Sequence, residues 1–263
     1  MTALVAGAPS RGGSWLRRRG QATIPFRLTV LLIGATGSVR AEEDIVARSR
    51  AAYAALVSYS DTAVVEIEIG TRGGPLLRER HTFATRFREP RHFFFELIED
   101  EAAGGDRFVV WSDEQAFKTW WKTTGVEETD PPGRGVAALV TAFGVTNGAA
   151  AIVTPLLFPQ TDLKGPLLDF AEGVLEGTES IGGRECHRMK GVQRPVYANT
   201  GRVGQVRDTT LWIDAEAFLL CRVFEDTPRG SPAGSVQRVT TTFKAQANPA
   251  LADEAFRFVR PAN

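Results

Sequence analysis

Three histidines and two cysteines are all the imidazole and thiol this chain possesses, and their spacing limits the chemistry they can share. Cys186 and His187 are adjacent, but successive residues of a strand point to opposite faces, so the two cannot work there as nucleophile and base. His81 and His92 fall in strand-like segments on either side of Glu89-Pro90 and are able to approach each other. No HExxH or paired CxxC gives metal-ligand spacing, and the two read as half-exposed strand residues. There is no G-x-S-x-G elbow and no glycine-rich strand-to-helix loop to cradle a phosphate. Glu96 shares strand parity with Phe94 and Ile98. On a buried face its pKa would rise and make it a site candidate; on a twisted, exposed face it is solvated. No catalytic or metal constellation emerges, so the expectation is a non-enzymatic protein with no cofactor.

What remains is apolar. Phe93, Phe94, Phe95, Trp111, Phe117, Trp120, Trp121 and Phe143 concentrate in the middle of the chain, and residues 135–158 carry no charge at all. About 20 apolar residues can span a bilayer. Gly135, Gly144, Gly148, Pro155 and the turn pair Asn147-Gly148 break this run, and its alanines and threonines lack the insertion energy of leucine or phenylalanine. The better reading is two short helices, about 134–143 and 148–157. They meet at Val145-Thr146-Asn147, with Asn147 capping the second and Pro155 disturbing or ending it. Helices apolar nearly all round are buried or face something apolar.

These residues must be positioned by strands. Residues 42–59 read as a helix, with Ile45, Val46, Ser49, Ala52, Tyr53, Leu56 and Val57 at three- and four-residue spacing and acids in the first turn. From there the period is two: Val65, Ile67 and Ile69 alternate with Glu66 and Glu68. Five strands, 61–69, 76–88, 91–98, 108–111 and 115–122, follow with short turn-rich links, which implies an antiparallel meander. After the uncharged run come 170–180, 184–192, 207–214, 217–225, 236–245 and a short 255–259. The expected fold is mainly β, an incomplete antiparallel barrel of about eleven strands with an N-terminal helix and an inserted apolar helical lid.

The first 41 residues hold six arginines, Arg11, Arg17, Arg18, Arg19, Arg27 and Arg40, and no acid. An apolar core, residues 28–39, and Val39-Arg40-Ala41 before Glu42 read as a secretory signal peptide cut after Ala41. Arg17-Arg18-Arg19 is followed by Gly-Gln-Ala rather than apolar residues, which disfavours a twin-arginine signal. Residues 42–263 would then form a single domain, soluble after cleavage and periplasmic. Removing the six arginines leaves 25 basic against 31 acidic residues, a net charge near −6 that argues against a nucleic-acid partner. Cys186 and Cys221 are an even pair in an oxidising compartment, so a bridge is permitted. In a regular meander they lie two strands apart, roughly 9–10 Å, and two buried thiols are expected.

The helix leading into Tyr59-Ser60-Asp61, then HTFATRFREPRHFFFEL (81–97), the uncharged insert, LWIDAEAFLLCRVFED (211–226) and DEAFRFVRP (253–261) together resemble the outer-membrane lipoprotein-sorting, or lipoprotein-carrier (LolA-like), superfamily, over nearly all of residues 42–263. The resemblance implies an incomplete barrel closed by helices over a cavity that holds the acyl chains of a lipoprotein or lipid, with residues 134–158 as the lid. Gly144 and Gly148 would be its hinges. It also implies an acylated lipoprotein or lipid as partner, alongside envelope transport or receptor proteins. No lid-locking arginine of that family is matched to a residue here. The expected lining is Phe93, Phe95, Trp111, Trp121, Val140, Phe143, Ile152, Leu156 and Leu157; a slip of one residue in any strand would exchange the set facing inward. The alternative is an envelope structural or signalling module whose apolar insert docks a partner protein. An insert buried against the sheet favours the first, and an exposed apolar patch the second.

Overall fold

Burial along the first strand shows how this sequence lays down a sheet. In β1 (Ser58–Thr71), Asp61, Ala63, Val65 and Ile67 are buried while Thr62 and Glu66 are exposed and Val64 is half-buried, the alternation of a strand with one face on the core. The computed structural model describes residues 36–99, 105–113, 116–130, 137–146, 148–196 and 202–261. It begins with α1 (Thr36–Ala54). After β1 come β2 (Leu76–Arg88), β3 (His92–Ile98), β4 (Arg107–Asp113), β5 (Phe117–Trp121) and β6 (Glu127–Thr129). The apolar insert supplies α2 (Ala137–Val145) and α3 (Ala150–Leu157). The sheet resumes with β7 (Phe170–Ile181), β8 (Arg184–Gln193), β9 (Arg207–Asp214), β10 (Leu220–Glu225), β11 (Ser235–Phe243) and β12 (Gln246–Ala247), and a 3-10 turn comes last at Asp253–Phe256.

All strand pairs are antiparallel, in the order β6-β5-β4-β3-β2-β1-β11-β10-β9-β8-β7, with β12 also beside β1. Two meanders of consecutive hairpins are thus joined where β1 pairs β11, with Val65 opposite Thr241 and Ile67 opposite Val239. Edges β6 and β7 do not pair with each other, so this is an incomplete antiparallel barrel. The β7–β8 hairpin turns on Gly182 and Gly183, at φ +58° and +83°, the left-handed pair that a two-residue turn needs and glycine supplies without steric cost.

The three helices cover one face, the inner one. There α1 (Ile45, Val46, Tyr53), α2 (Leu139, Ala142) and α3 (Ile152, Val153, Leu156) share one core with Phe83, Phe93, Phe95, Val110, Leu211, Val223 and Phe243 of the sheet. The outer face carries two smaller clusters. One buries Phe94, Val109, Trp111 and Trp120 under a C-terminal strap that presents Phe256 and Phe258. The other gathers Ile181, Cys186, Trp212 and Cys221.

Several expectations from sequence are corrected. The N-terminal helix ends at Ala54, not residue 59, because Ser58 and Tyr59 already pair with Arg88 and Phe87 of β2. Residues 255–259 form no strand: their aromatics lie on the outer face as a strap that begins with the 3-10 turn. The short strands β6 and β12 are additions to the expected set. Cys186 and Cys221 form a disulfide rather than two thiols, with Cα atoms 7.0 Å apart. The two-strand separation expected for them assumes regular pairing. In fact β10 has an irregularity in its register at Cys221, and β9 ends at Asp214, opposite Cys186, so the bridge closes around the end of the intervening strand.

Candidate ligand pocket

The insert is packed, not displayed. Ala138, Leu139, Ala142, Ala149, Ala150, Ile152, Val153, Leu156, Leu157 and Phe158 are buried, while Val140 is 52% exposed. Asn147, expected to cap α3, lies outside the described residues; the N-cap position is Ala149, which has no side-chain cap, and Thr146 Oγ1, just past the end of α2, accepts from the Ala150 N–H at 3.0 Å. Pro155 does not end α3, which runs to Leu157. It has no N–H to give to the Ala151 carbonyl one turn back. Gly165 packs against that carbonyl so closely that a Cβ would stand 2.3 Å from the oxygen, so the chain returning from α3 can cross the helix only as glycine. Arg50 of α1 anchors the end of this return segment. Its Nε and Nη2 donate to the Leu167 carbonyl at 3.1 and 2.9 Å, and Nη2 also donates to Leu168 and Phe170 at 3.2 Å each.

The return segment, with α2 and α3, leaves a pocket of about 510 Å³ against the ends of β8 to β11, within the ~300–1,000 Å³ usual for small-molecule sites. Val140, Phe143, Leu163, Pro166 and Val239 make its apolar walls. Its polar side chains are Asp162 and Lys164 from the return segment, Gln193, Gln205, Arg207 and Glu225. Strand parity explains the last two: Arg207 continues the inward series Thr209, Leu211, Ile213, and Glu225 continues Val223. Burial pushes the Glu225 carboxyl up to about 7, and the positive charge of Arg207 opposes that shift.

The nine expected lining residues are dispersed by the tertiary structure. Val140 and Phe143 line the pocket. Phe93 and Phe95 face inward as expected from parity, but the space before them is filled: Phe158 stands edge-on to Phe93 at 5.3 Å, to Phe87 at 5.5 Å and to Phe117 at 5.5 Å. Ile152, Leu156 and Leu157 are core residues of the same packing. Trp121, at the end of β5, does not line the pocket; it is 36% exposed, its ring edge-on to Phe108 at 6.0 Å. Trp111 is on the wrong face. It pairs with Phe94 and lies under Phe258 at 4.9 Å, because β4 turns Phe108 and Val110 inward and therefore Val109 and Trp111 outward.

The polar candidates resolve plainly. His81 and His92 do not approach each other: His81 shares the parity of inward Phe83, and His92 that of outward Phe94, where it meets the ring of Phe256 at 5.3 Å. Glu96 is an ion-pair partner of Arg107 on the outer face. Among the described residues no group of three or more His, Cys, Asp or Glu is arranged to hold a metal, and no helix is long and apolar enough to cross a membrane. Sequence reasoning missed Arg207 and Glu225. The available signal was an acid at an inward position of LLCRVFED, two residues after a valine that had to be buried.

No family model matches the chain, and no curated protein matches it. Among solved structures the chain is similar to LprF from Mycobacterium bovis, 13% identical over 82% of this chain and 96% of that one, with a TM-score of 0.46. It is similar to the lipoprotein LppX from Mycobacterium tuberculosis, 16% identical over 82% and 99%, TM-score 0.37. A LolA superfamily protein from Nitrosomonas europaea, the superfamily that the sequence resembles, is 9% identical over 82% and 97%, TM-score 0.36. At such distances the pocket, not the likeness, is what bears on function.

Proposed function

We propose that this protein is a non-enzymatic periplasmic binding protein or carrier that holds the acyl chains of a lipid or lipoprotein. One observation carries the reading: the uncharged insert folds down on the inner face of the sheet and leaves an apolar-walled pocket beside it. A partner-docking insert would present its apolar side to solvent; this one buries it. Withdrawing acyl chains from water is worth ~25 cal/mol per Å² of apolar surface, and no covalent step is needed. Gly148, at φ +91°, lies between α2 and α3, and nothing would touch a Cβ at Gly144, so the insert can shift as a lid without breaking an ion pair. Export fits the same reading. Cleavage of a signal peptide after Ala41 would shorten α1 to residues 42–54 and place Glu42, Glu43 and Asp44 at its new N-terminus, where the helix dipole favours acids.

The test is to express the full chain in a bacterial periplasm, purify the product without detergent, and extract it with organic solvent for mass spectrometry. Fatty-acyl species at near-stoichiometric amounts are expected, and Phe143→Asp is expected to lower them while leaving the circular dichroism of the sheet unchanged. An empty extract from folded protein would overturn the reading and direct attention to a docked partner. Equal loading of the variant would remove α2 from the site.

A further inference from the structure

Glu225 is where the pocket departs from ordinary packing. It sits opposite Thr209 of β9 and Val239 of β11 on the inner face, is 8% exposed, and directs that exposure into the pocket it lines. Among the described residues no donor hydrogen-bonds its carboxylate and no cation forms an ion pair with it. Arg207 is committed elsewhere, donating from Nη1 to the Asp226 carbonyl and from Nη2 to Gln205 Oε1, both at 3.3 Å. A buried carboxylate left this way is costly, and a valine or threonine, as on either neighbouring strand, would pack in its place without that cost. The side chain therefore has the character of a binding group waiting for a partner with positive charge.

The rest of the pocket narrows the partner. Two acids, Asp162 and Glu225, and two cations, Lys164 and Arg207, line one apolar-walled space, so its charge is balanced rather than one-signed. A fatty acid would bring its carboxylate against Glu225. A phosphoglycerol head would satisfy Lys164 and Arg207 and leave Glu225 unpaired; a simple alkylamine would do the reverse. A zwitterionic head satisfies both.

We propose that the pocket selects phosphoethanolamine-headed amphiphiles, with Glu225 accepting hydrogen bonds from the ammonium group, Arg207 and Lys164 meeting the phosphate, and the acyl chain lying along Phe143, Leu163 and Val239. This rests on the acyl-binding reading above and adds the head group to it. The experiment compares lysophosphatidylethanolamine with lysophosphatidylglycerol of the same acyl chain, titrated below micelle formation into the full-length preparation after delipidation, by calorimetry. The ethanolamine lipid is expected to bind about tenfold tighter, the worth of a hydrogen bond to a charged group. Glu225→Gln, which keeps shape and burial, is expected to bring the ratio to within about twofold, by weakening the ethanolamine lipid and by removing the unpaired charge that opposes lysophosphatidylglycerol. Equal affinities in the unaltered protein, or a preference that survives Glu225→Gln, overturn the head-group assignment and leave acyl binding standing. Failure of both lipids to bind overturns the acyl reading itself. If the variant does not fold, the ratio in the unaltered protein still decides.

Discussion

The two meanders of this sheet have the same pairing and the same alternation, yet one is filled along its inner face and the other, packed at Leu211 and Val223, leaves a pocket near one end. On β2 to β5, Phe87, Phe93 and Phe117 close around Phe158 from the end of the insert, and the opposite face is sealed by Phe256 and Phe258 of the strap. On β8 to β11, the corresponding inner positions near one end are Gln193, Arg207, Glu225 and Val239, and the space in front of them is open. The difference teaches that aromatic density in a sequence marks where a core is dense, which is not where space is left. Space survives where strand residues are small or polar and the covering segment is held off, here by Arg50 gripping the carbonyls of Leu167, Leu168 and Phe170.

Truncating one phenylalanine on each side is the sharpest way to break that contrast. Phe158→Ala is expected to cost about 3–5 kcal/mol in denaturant-determined stability, since it leaves a cavity among rings that cannot collapse. Phe143→Ala, on the pocket wall, is expected to cost roughly 1 kcal/mol while reducing acyl loading. Equal costs would mean that the two regions are packed alike.

A pH series separates the two regions next. In the packed region Asp61 is wholly buried, and burial pushes its carboxyl up to about 6 despite hydrogen bonds accepted from Tyr59 Oη at 2.7 Å and the Thr85 N–H at 2.9 Å. Glu225, lining the pocket, is pushed up to about 7. Both folded values lie above the ordinary carboxylate range, so the folded state holds these protons more tightly than the unfolded chain. The stability they contribute is present below about pH 4 and is lost as pH rises through about 6 for Asp61 and 7 for Glu225, with each change on the order of 3 kcal/mol. Asp61→Asn should remove the share lost between about pH 4 and 6, and Glu225→Gln the share lost between about pH 4 and 7, the only one of the two that extends above 6; a stability that rises from pH 4 to 7 by these groups' share would contradict both.

The smallest expected effect tests the seal on the outer face. Phe258→Ala removes ring contacts to Trp111 at 4.9 Å and Trp120 at 5.1 Å. A loss of about 1 kcal/mol is expected, with a red shift in tryptophan fluorescence as water reaches both indoles. An unshifted spectrum would show that the strap does not exclude water there.

Most of the sheet is legible in the sequence because period-two alternation is written locally. Phe83, Phe87, Phe93 and Phe95 are where parity puts them, and the insert's lack of charge announces its burial. The lining is less legible. Phe93, Phe95, Ile152, Leu156 and Leu157 are inward or buried as parity and apolarity predict, but inward positions hold both core and pocket, and only the packing of Phe158 distinguishes them. Trp111 departs from expectation because a short strand bounded by charged turns leaves its parity open, and Phe256 and Phe258, which alternate like a strand, serve instead as a strap.

What the sequence by itself determined is therefore the ten longer strands, β1 to β5 and β7 to β11, their antiparallel order within each meander, and the two apolar helices, because hairpin pairing and amphipathic period depend on residues a few positions apart. The tertiary structure alone decided that β1 meets β11, that Cys186 and Cys221 reach each other around the end of β9, and that Glu225 and Arg207 share a pocket with Phe143. Those juxtapositions join residues tens of positions or more apart, and they are fixed by how the sheet curves and how the return segment from α3 is held, quantities that no local pattern encodes.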